Sequence, residues 1–132
     1  MQYFDFSIYS GDWALLLVRI VVGVLFLQHG IAKCAMWKMA PSEQMPSSML
    51  MLMRLLSIVE PLGALGVLFG VSTGYAALAL AGVMIGALYY KIIVWKKKFM
   101  GDGGWELDLV LLSALLLIAA MGPGVFALNM LS

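Results

Sequence analysis

The chain divides into four long apolar runs separated by short polar segments. The breaks carry residues that end helices: "APSEQMPSS" has two prolines, "GVSTGY" is flanked by glycines, "KKKFMGDGG" is charged and glycine-rich, and "GPG" follows the last run. A helix of about 20 apolar residues crosses the roughly 30 Å of bilayer hydrocarbon. The pattern therefore predicts an all-α, integral membrane four-helix bundle, in which residues 1–132 form a single transmembrane domain with helices near 13–33, 48–70, 75–95 and 105–122.

The composition agrees with a membrane protein and excludes several other classes. Of the 132 residues, 64% are hydrophobic and 11% are charged, and the mean hydropathy is +1.02, well above that of soluble domains. The net charge of +1 gives no sign of nucleic-acid binding. A single cysteine excludes an internal disulfide or a CxxC pair, and one histidine with scattered carboxylates predicts no metal site. Redox chemistry would therefore need a partner or a bound cofactor.

The lysines indicate how the helices are oriented. They all lie in or beside the first and third loops, at Lys33, Lys38, Lys91 and Lys96 to Lys98. By the positive-inside rule these loops are predicted to be cytoplasmic, with both termini outside. The N-terminal segment lacks the features of a removable signal peptide, so we expect the first helix to remain as an anchor in a cytoplasmic membrane of bacterial type.

Charged residues inside the predicted spans are costly and need partners, water or an interface. Arg19 and Arg54 can each extend toward the headgroups, which is the simplest account of them. Glu60 lies near the membrane midplane and must be either protonated or paired with a cation such as Arg19. Pro61 frees a backbone carbonyl one turn earlier, where water or a ligand group could bind.

Two carboxylates open the fourth helix, and the only histidine ends the first. Glu106 shares a helical face with Ser113 and Ala120, so it is predicted to face the bundle interior, whereas Asp108 is predicted to point the other way and to interact with the helix dipole. His29 lies about one turn before Lys33, at a depth similar to that of Glu106. The alternative is that His29 only marks an interfacial helix end.

These polar residues predict one shared site. His29, Glu60 and Glu106 are the candidate catalytic group, because an imidazole beside carboxylates can exchange protons near neutral pH. The residues considered for cofactor contact are Arg19, Arg54 and Tyr90, and the cofactor considered is a quinone.

The sequence resembles the DoxX-like membrane proteins. The resemblance is carried by "RIVVGVLFLQHGIAK", "VEPLGALGVLFG", and "GDGGWELDLVLLSALLL" with the later "GPG". It implies a four-helix integral membrane protein associated with redox functions, such as thiosulfate to quinone electron transfer or an oxidative-stress membrane complex. Some relatives have a further histidine near the end of the third helix, where this chain has "YYK", so the resemblance implies a shared polar site and not a particular reaction.

Three functions are therefore open. The first is a membrane subunit of a redox complex that binds a quinone headgroup or relays its protons, with a soluble oxidoreductase as partner. The second is a non-enzymatic scaffold or chaperone-like protein, and the third is a small proton-coupled transporter. Membrane lipid is expected around the chain in every case, and a homo-oligomer is compatible with all three.

Overall fold

The computed structural model describes the chain from residue 6 to residue 128. Within this range there are four α-helices and no strand, which confirms the predicted all-α fold class. The helices are α1 (Phe6–Lys33), α2 (Ser47–Phe69), α3 (Thr73–Tyr89) and α4 (Glu106–Met121). Two of them continue in a different helical form: α1 runs into a 3-10 segment (Cys34–Lys38), and α3 runs into a π-helical segment (Tyr90–Val94).

Three of the four described helices are long enough to span a membrane, and the fourth is shorter. In the part of the chain described, three helical segments are long and apolar enough to cross a bilayer, namely Ser10–Lys38, Ser47–Phe69 and Thr73–Val94. The fourth helix has 16 residues, which corresponds to about 24 Å against roughly 30 Å of hydrocarbon. The chain after α4 turns back onto the end of α2, where the Leu128 amide donates to the Phe69 carbonyl over 2.9 Å.

Helices α1 and α2 approach each other closely because two glycines lie at the contact. A side chain on Gly23 would collide with Leu68, and one on Gly30 would collide with the ring of Pro61. Small residues allow this kind of backbone approach in membranes, where burial of apolar surface gives helices little reason to associate. The contact brings the end of α1 to the level of Pro61, at the middle of α2.

Arg19 stabilises the end of the α1–α2 pair that lies opposite Lys33. Its side chain is fully buried and donates to four backbone carbonyls, those of Val67, Leu68, Pro123 and Phe126. The last carbonyls of a helix have no partner within the helix, so the guanidinium supplies one for the end of α2 and joins it to the segment after α4. Neither of the two predictions for Arg19 holds, because it does not extend to the headgroups and does not pair with Glu60.

Arg54 has a similar role at the other end of α2. Its Nε donates to the Met36 carbonyl over 3.0 Å and its Nη2 donates to the Met39 carbonyl over 2.9 Å. The indole Nε1 of Trp37 donates to the Ser57 hydroxyl over 2.8 Å. These contacts hold the 3-10 segment along α2, so that the chain leaving α1 keeps following α2.

Candidate functional site

A cavity of about 590 Å³ lies where the four helices meet, at the end of the bundle that carries the lysines. Its walls are apolar and come from α2 and α3. Leu55, Ala79 and Gly82 in these walls are exposed, so the cavity opens between α2 and α3. This opening faces lipid when the two helices span the bilayer. The polar lining of the cavity consists of His29, Lys33, Glu60, Tyr90, Lys91 and Asp108.

The first ion pair in the cavity joins α1 to α2. Lys33 Nζ lies 3.0 and 2.8 Å from the two carboxylate oxygens of Glu60. Only 1% of the Glu60 side chain is exposed, whereas 23% of Lys33 is. Glu60 is thus paired with a cation, as one of the two predictions had it, but the cation is Lys33 and not Arg19. Lysine has the flexible stem that lets a residue of the last turn of α1 reach back to the level of Glu60.

The second ion pair joins the end of α3 to the start of α4. Lys91 Nζ lies 2.6 Å from Asp108 Oδ2, and it also donates to the Gly104 carbonyl over 3.4 Å. Asp108 is 5% exposed, so this contact neutralises a buried carboxylate and fixes the end of α3 against the start of α4.

The predicted orientation of α4 was wrong. Asp108 is buried and lines the cavity, whereas Glu106 is partly exposed and does not. The buried face of α4 is formed by Asp108, Leu111, Leu115 and Ile118. Ser113 and Ala120, which were taken to mark an interior stripe with Glu106, are exposed. The prediction from this stripe failed because the buried face of α4 is formed by large aliphatic side chains together with Asp108.

His29 lines the same cavity as the two ion pairs, and the charges of both pairs act on its ring. The ring makes an edge contact with Phe26, with centroids 6.1 Å apart and planes at 74°. Among residues 6–128 no hydrogen-bond partner is found for its nitrogens, and the ring lines the cavity. The imidazole is therefore positioned by apolar packing and has its nitrogens available to a ligand.

The π-helical segment positions three side chains of the cavity lining, two within it and one directly after it. It contains Tyr90 and Lys91, and the Trp95 amide closes its wide turn by donating to the Tyr90 carbonyl over 2.7 Å. Tyr90 and Trp95 also contact each other, with ring centroids 5.6 Å apart, and all three side chains line the cavity. Short π-helical turns are frequent at functional sites, because the added residue redirects the side chains that follow.

The structure brings together only some of the predicted site residues. His29, Glu60 and Tyr90 line the cavity, whereas Glu106, Arg19 and Arg54 do not. Sequence reasoning missed Lys33, Lys91 and Asp108 as site residues, because the lysines had been explained as orientation signals. Charge balance was the signal available: carboxylates inside the bundle require cations, and lysines at helix ends can reach them.

Two glycines of α3 leave room in the cavity. Gly82 and Gly86 have open space where their side chains would be, and both belong to the cavity wall on α3. Gly66 of α2, by contrast, lies directly against Ala76 of α3. The part of α3 that carries Gly82 and Gly86 thus leaves room for a ligand.

The fold and the cavity define a small helical membrane protein with an internal polar site that is open to lipid. Residues 14–93 match the family model described as DoxX, and the chain belongs to the DoxX family. The matched segment includes His29, both lysines of the ion pairs and Glu60, but not Asp108. No curated protein and no solved structure matched the sequence. In residues 6–128 there is no group of three or more His, Cys, Asp or Glu side chains that could hold a metal ion.

Proposed function

We propose that this integral membrane protein is a subunit of a redox complex and binds a quinone headgroup in the cavity. One observation carries the proposal: the polar groups are buried at the end of a cavity that opens to lipid, which is where a quinone resides. The two ammonium groups balance the two carboxylates, so the cavity suits an uncharged polar ligand. Quinone carbonyls are hydrogen-bond acceptors, and donors around the cavity include His29, the Tyr90 hydroxyl and the lysines.

The same residues suit the exchange of protons with the bound quinone. Reduction of a quinone to a quinol consumes two electrons and two protons, and a soluble oxidoreductase as partner would supply the electrons. His29 can donate a proton to one carbonyl oxygen and regain it from the aqueous side, and water from the same side supplies the proton for the second oxygen. The carboxylates of Glu60 and Asp108 favour the cationic form of this imidazole, and the ammonium groups of Lys33 and Lys91 oppose it.

We expect purified protein in lipid nanodiscs to bind a benzoquinone without a tail, and His29→Ala to weaken binding about tenfold, the effect of one lost hydrogen bond in a desolvated site. Isothermal titration gives the dissociation constant of each protein. Gln28→Ala is the matched control, because Gln28 is exposed on the same turn and should change the constant by less than about twofold. Equal effects of the two substitutions, or no binding by the unmodified protein, would contradict the proposal.

A second candidate function is a scaffold that holds a soluble partner at the membrane. It is favoured by the way the ion pairs connect the helices, α1 to α2 and α3 to α4, since buried pairs can serve to fix helix register. Under this function a stoichiometric partner would copurify with the protein, and the titration would detect no quinone.

We further propose that the lysine-rich end of the bundle, and with it the cavity, faces the cytoplasm. The single cysteine provides the test, because Cys34 is exposed at this end. A membrane-impermeant maleimide is expected to label Cys34 only after the cells are permeabilised. In a Cys34→Ser background, Gly74→Cys in the first turn of α3, where nothing lies within 4 Å of an added side chain, should be labelled in intact cells. The reverse pattern would invert the orientation.

A further inference from the structure

A second cavity, of about 640 Å³, adjoins the polar one in the half of the bundle away from the lysines. It lies along the seam between α2 and α3 and shares Val59 and Ala79 with the polar cavity. No charged residue lines it. Its walls include Leu62, Leu65, Phe69 and Tyr75. We call this second cavity the tail groove.

We propose that the tail groove holds the isoprenoid tail of the quinone whose headgroup occupies the polar cavity. This inference rests on the proposed function and adds the class of quinone, one with a long prenyl tail. From Val59 to Phe69 the groove follows α2 over ten residue steps, about 15 Å. At its far end Phe69 and Tyr75 are 55% and 80% exposed, so a longer tail can leave the groove into lipid there.

The continuity of the two cavities favours a tail over a partner helix. A molecule with a polar head and an apolar tail can fill both at once through the junction at Val59 and Ala79. A transmembrane helix has a diameter of about 10–12 Å with its side chains. Laid along the seam, it would cover the opening at Leu55 and Gly82 and separate the polar cavity from lipid. The groove is also shallow, because α2 and α3 touch beneath it where Gly66 lies against Ala76.

The length of the prenyl tail is expected to change the binding affinity of the quinone only a little. The informative measurement is therefore where the tail lies on the protein. A prenyl tail that moves from lipid into an apolar groove leaves one apolar environment for another, and the hydrophobic effect contributes little to such a transfer. The test therefore uses a benzoquinone whose prenyl tail ends in a diazirine. It is activated by light in nanodiscs, and the labelled residues are mapped by mass spectrometry.

We expect the unmodified protein to be labelled on tail-groove residues such as Leu65, Phe69 and Tyr75. Ala79→Phe places a ring at the junction and should lower the groove's share of the total label about tenfold. Ala120→Phe is the matched control, because Ala120 is exposed on α4 and lines neither cavity. It should leave the distribution of the label unchanged.

Three results would overturn the inference. The first is label spread over other lipid-facing helix surfaces, and the second is an unchanged groove share in Ala79→Phe. The third is equal labelling of the groove by a diazirine-bearing phospholipid that excess quinone does not displace, which would make bulk lipid the occupant. In each case, binding of the tail-less quinone by the unmodified protein would leave the proposed function standing. Loss of that binding would remove both.

Discussion

Replacement of Arg19 by leucine is expected to destabilise the fold by roughly 3–5 kcal/mol, the typical cost of breaking a buried charged interaction. The guanidinium is fully buried and donates to four carbonyls, so its removal leaves several backbone acceptors without donors in an apolar setting. Arg19→Lys should not restore stability, because one ammonium group cannot reach acceptors spread over α2 and the segment after α4.

Thermal unfolding in detergent, followed by circular dichroism at the helix bands, measures this effect. Arg54→Leu is the matched control: Arg54 is partly exposed and donates to two carbonyls near the bundle surface, where water can replace it. Its expected cost is about 1 kcal/mol. If the two leucine variants unfold at the same temperature, Arg19 does not join the helix ends as described.

Replacement of Lys33 by methionine is expected to have the second largest effect. It would leave Glu60, 1% exposed, as an unpaired carboxylate inside the bundle, again at a cost of about 3–5 kcal/mol. The double variant Lys33→Met with Glu60→Gln should recover most of this stability, because removing both charges of a buried pair is often nearly neutral. A double-mutant cycle measures this, in which thermal unfolding is compared for the unmodified protein, the two single variants and the double variant.

The double variant also separates stability from function. It keeps the fold but lacks an ammonium donor and a carboxylate of the cavity, so we expect it to bind the tail-less quinone at least about tenfold more weakly than the unmodified protein. Stable protein with unchanged quinone affinity would mean that the pair only connects α1 to α2. An equally unstable double variant would show that the cost of losing Lys33 does not come from the charge of Glu60.

The sequence was sufficient for the helices because their signals are local. Apolar runs and glycine or proline breaks predict α2 closely, and the predicted end of α1 at Lys33 is the observed one. The third helix was predicted as one element ending near residue 95, whereas the structure divides this stretch into α3 and the π-helical segment. A change from α to π turns leaves no trace in the apolar pattern, because apolar residues lie on most sides of this segment.

The site was harder to predict because it depends on how the helices rotate about their axes. Glu106 and Asp108 are two residues apart and therefore point in very different directions, so a small error in rotation exchanges them. In a membrane, apolar residues face both lipid and neighbouring helices, and periodicity gives little indication of rotation. The partner of Glu60 was missed for another reason: the reach of a lysine side chain from a helix end cannot be read from residue spacing alone.

The contacts of Arg19 also have a consequence for how the helices assemble during synthesis. Pro123, whose carbonyl accepts from Arg19, is synthesised 104 residues later. When α1 and α2 first enter the bilayer, part of the final shell of acceptors around the guanidinium does not yet exist. The charge must then be accommodated by water, headgroups or the insertion machinery until the end of the chain emerges. Docking of residues 122–128 is thus a late step of biogenesis, and a nascent chain stalled before this segment would carry an incompletely satisfied cation in the membrane.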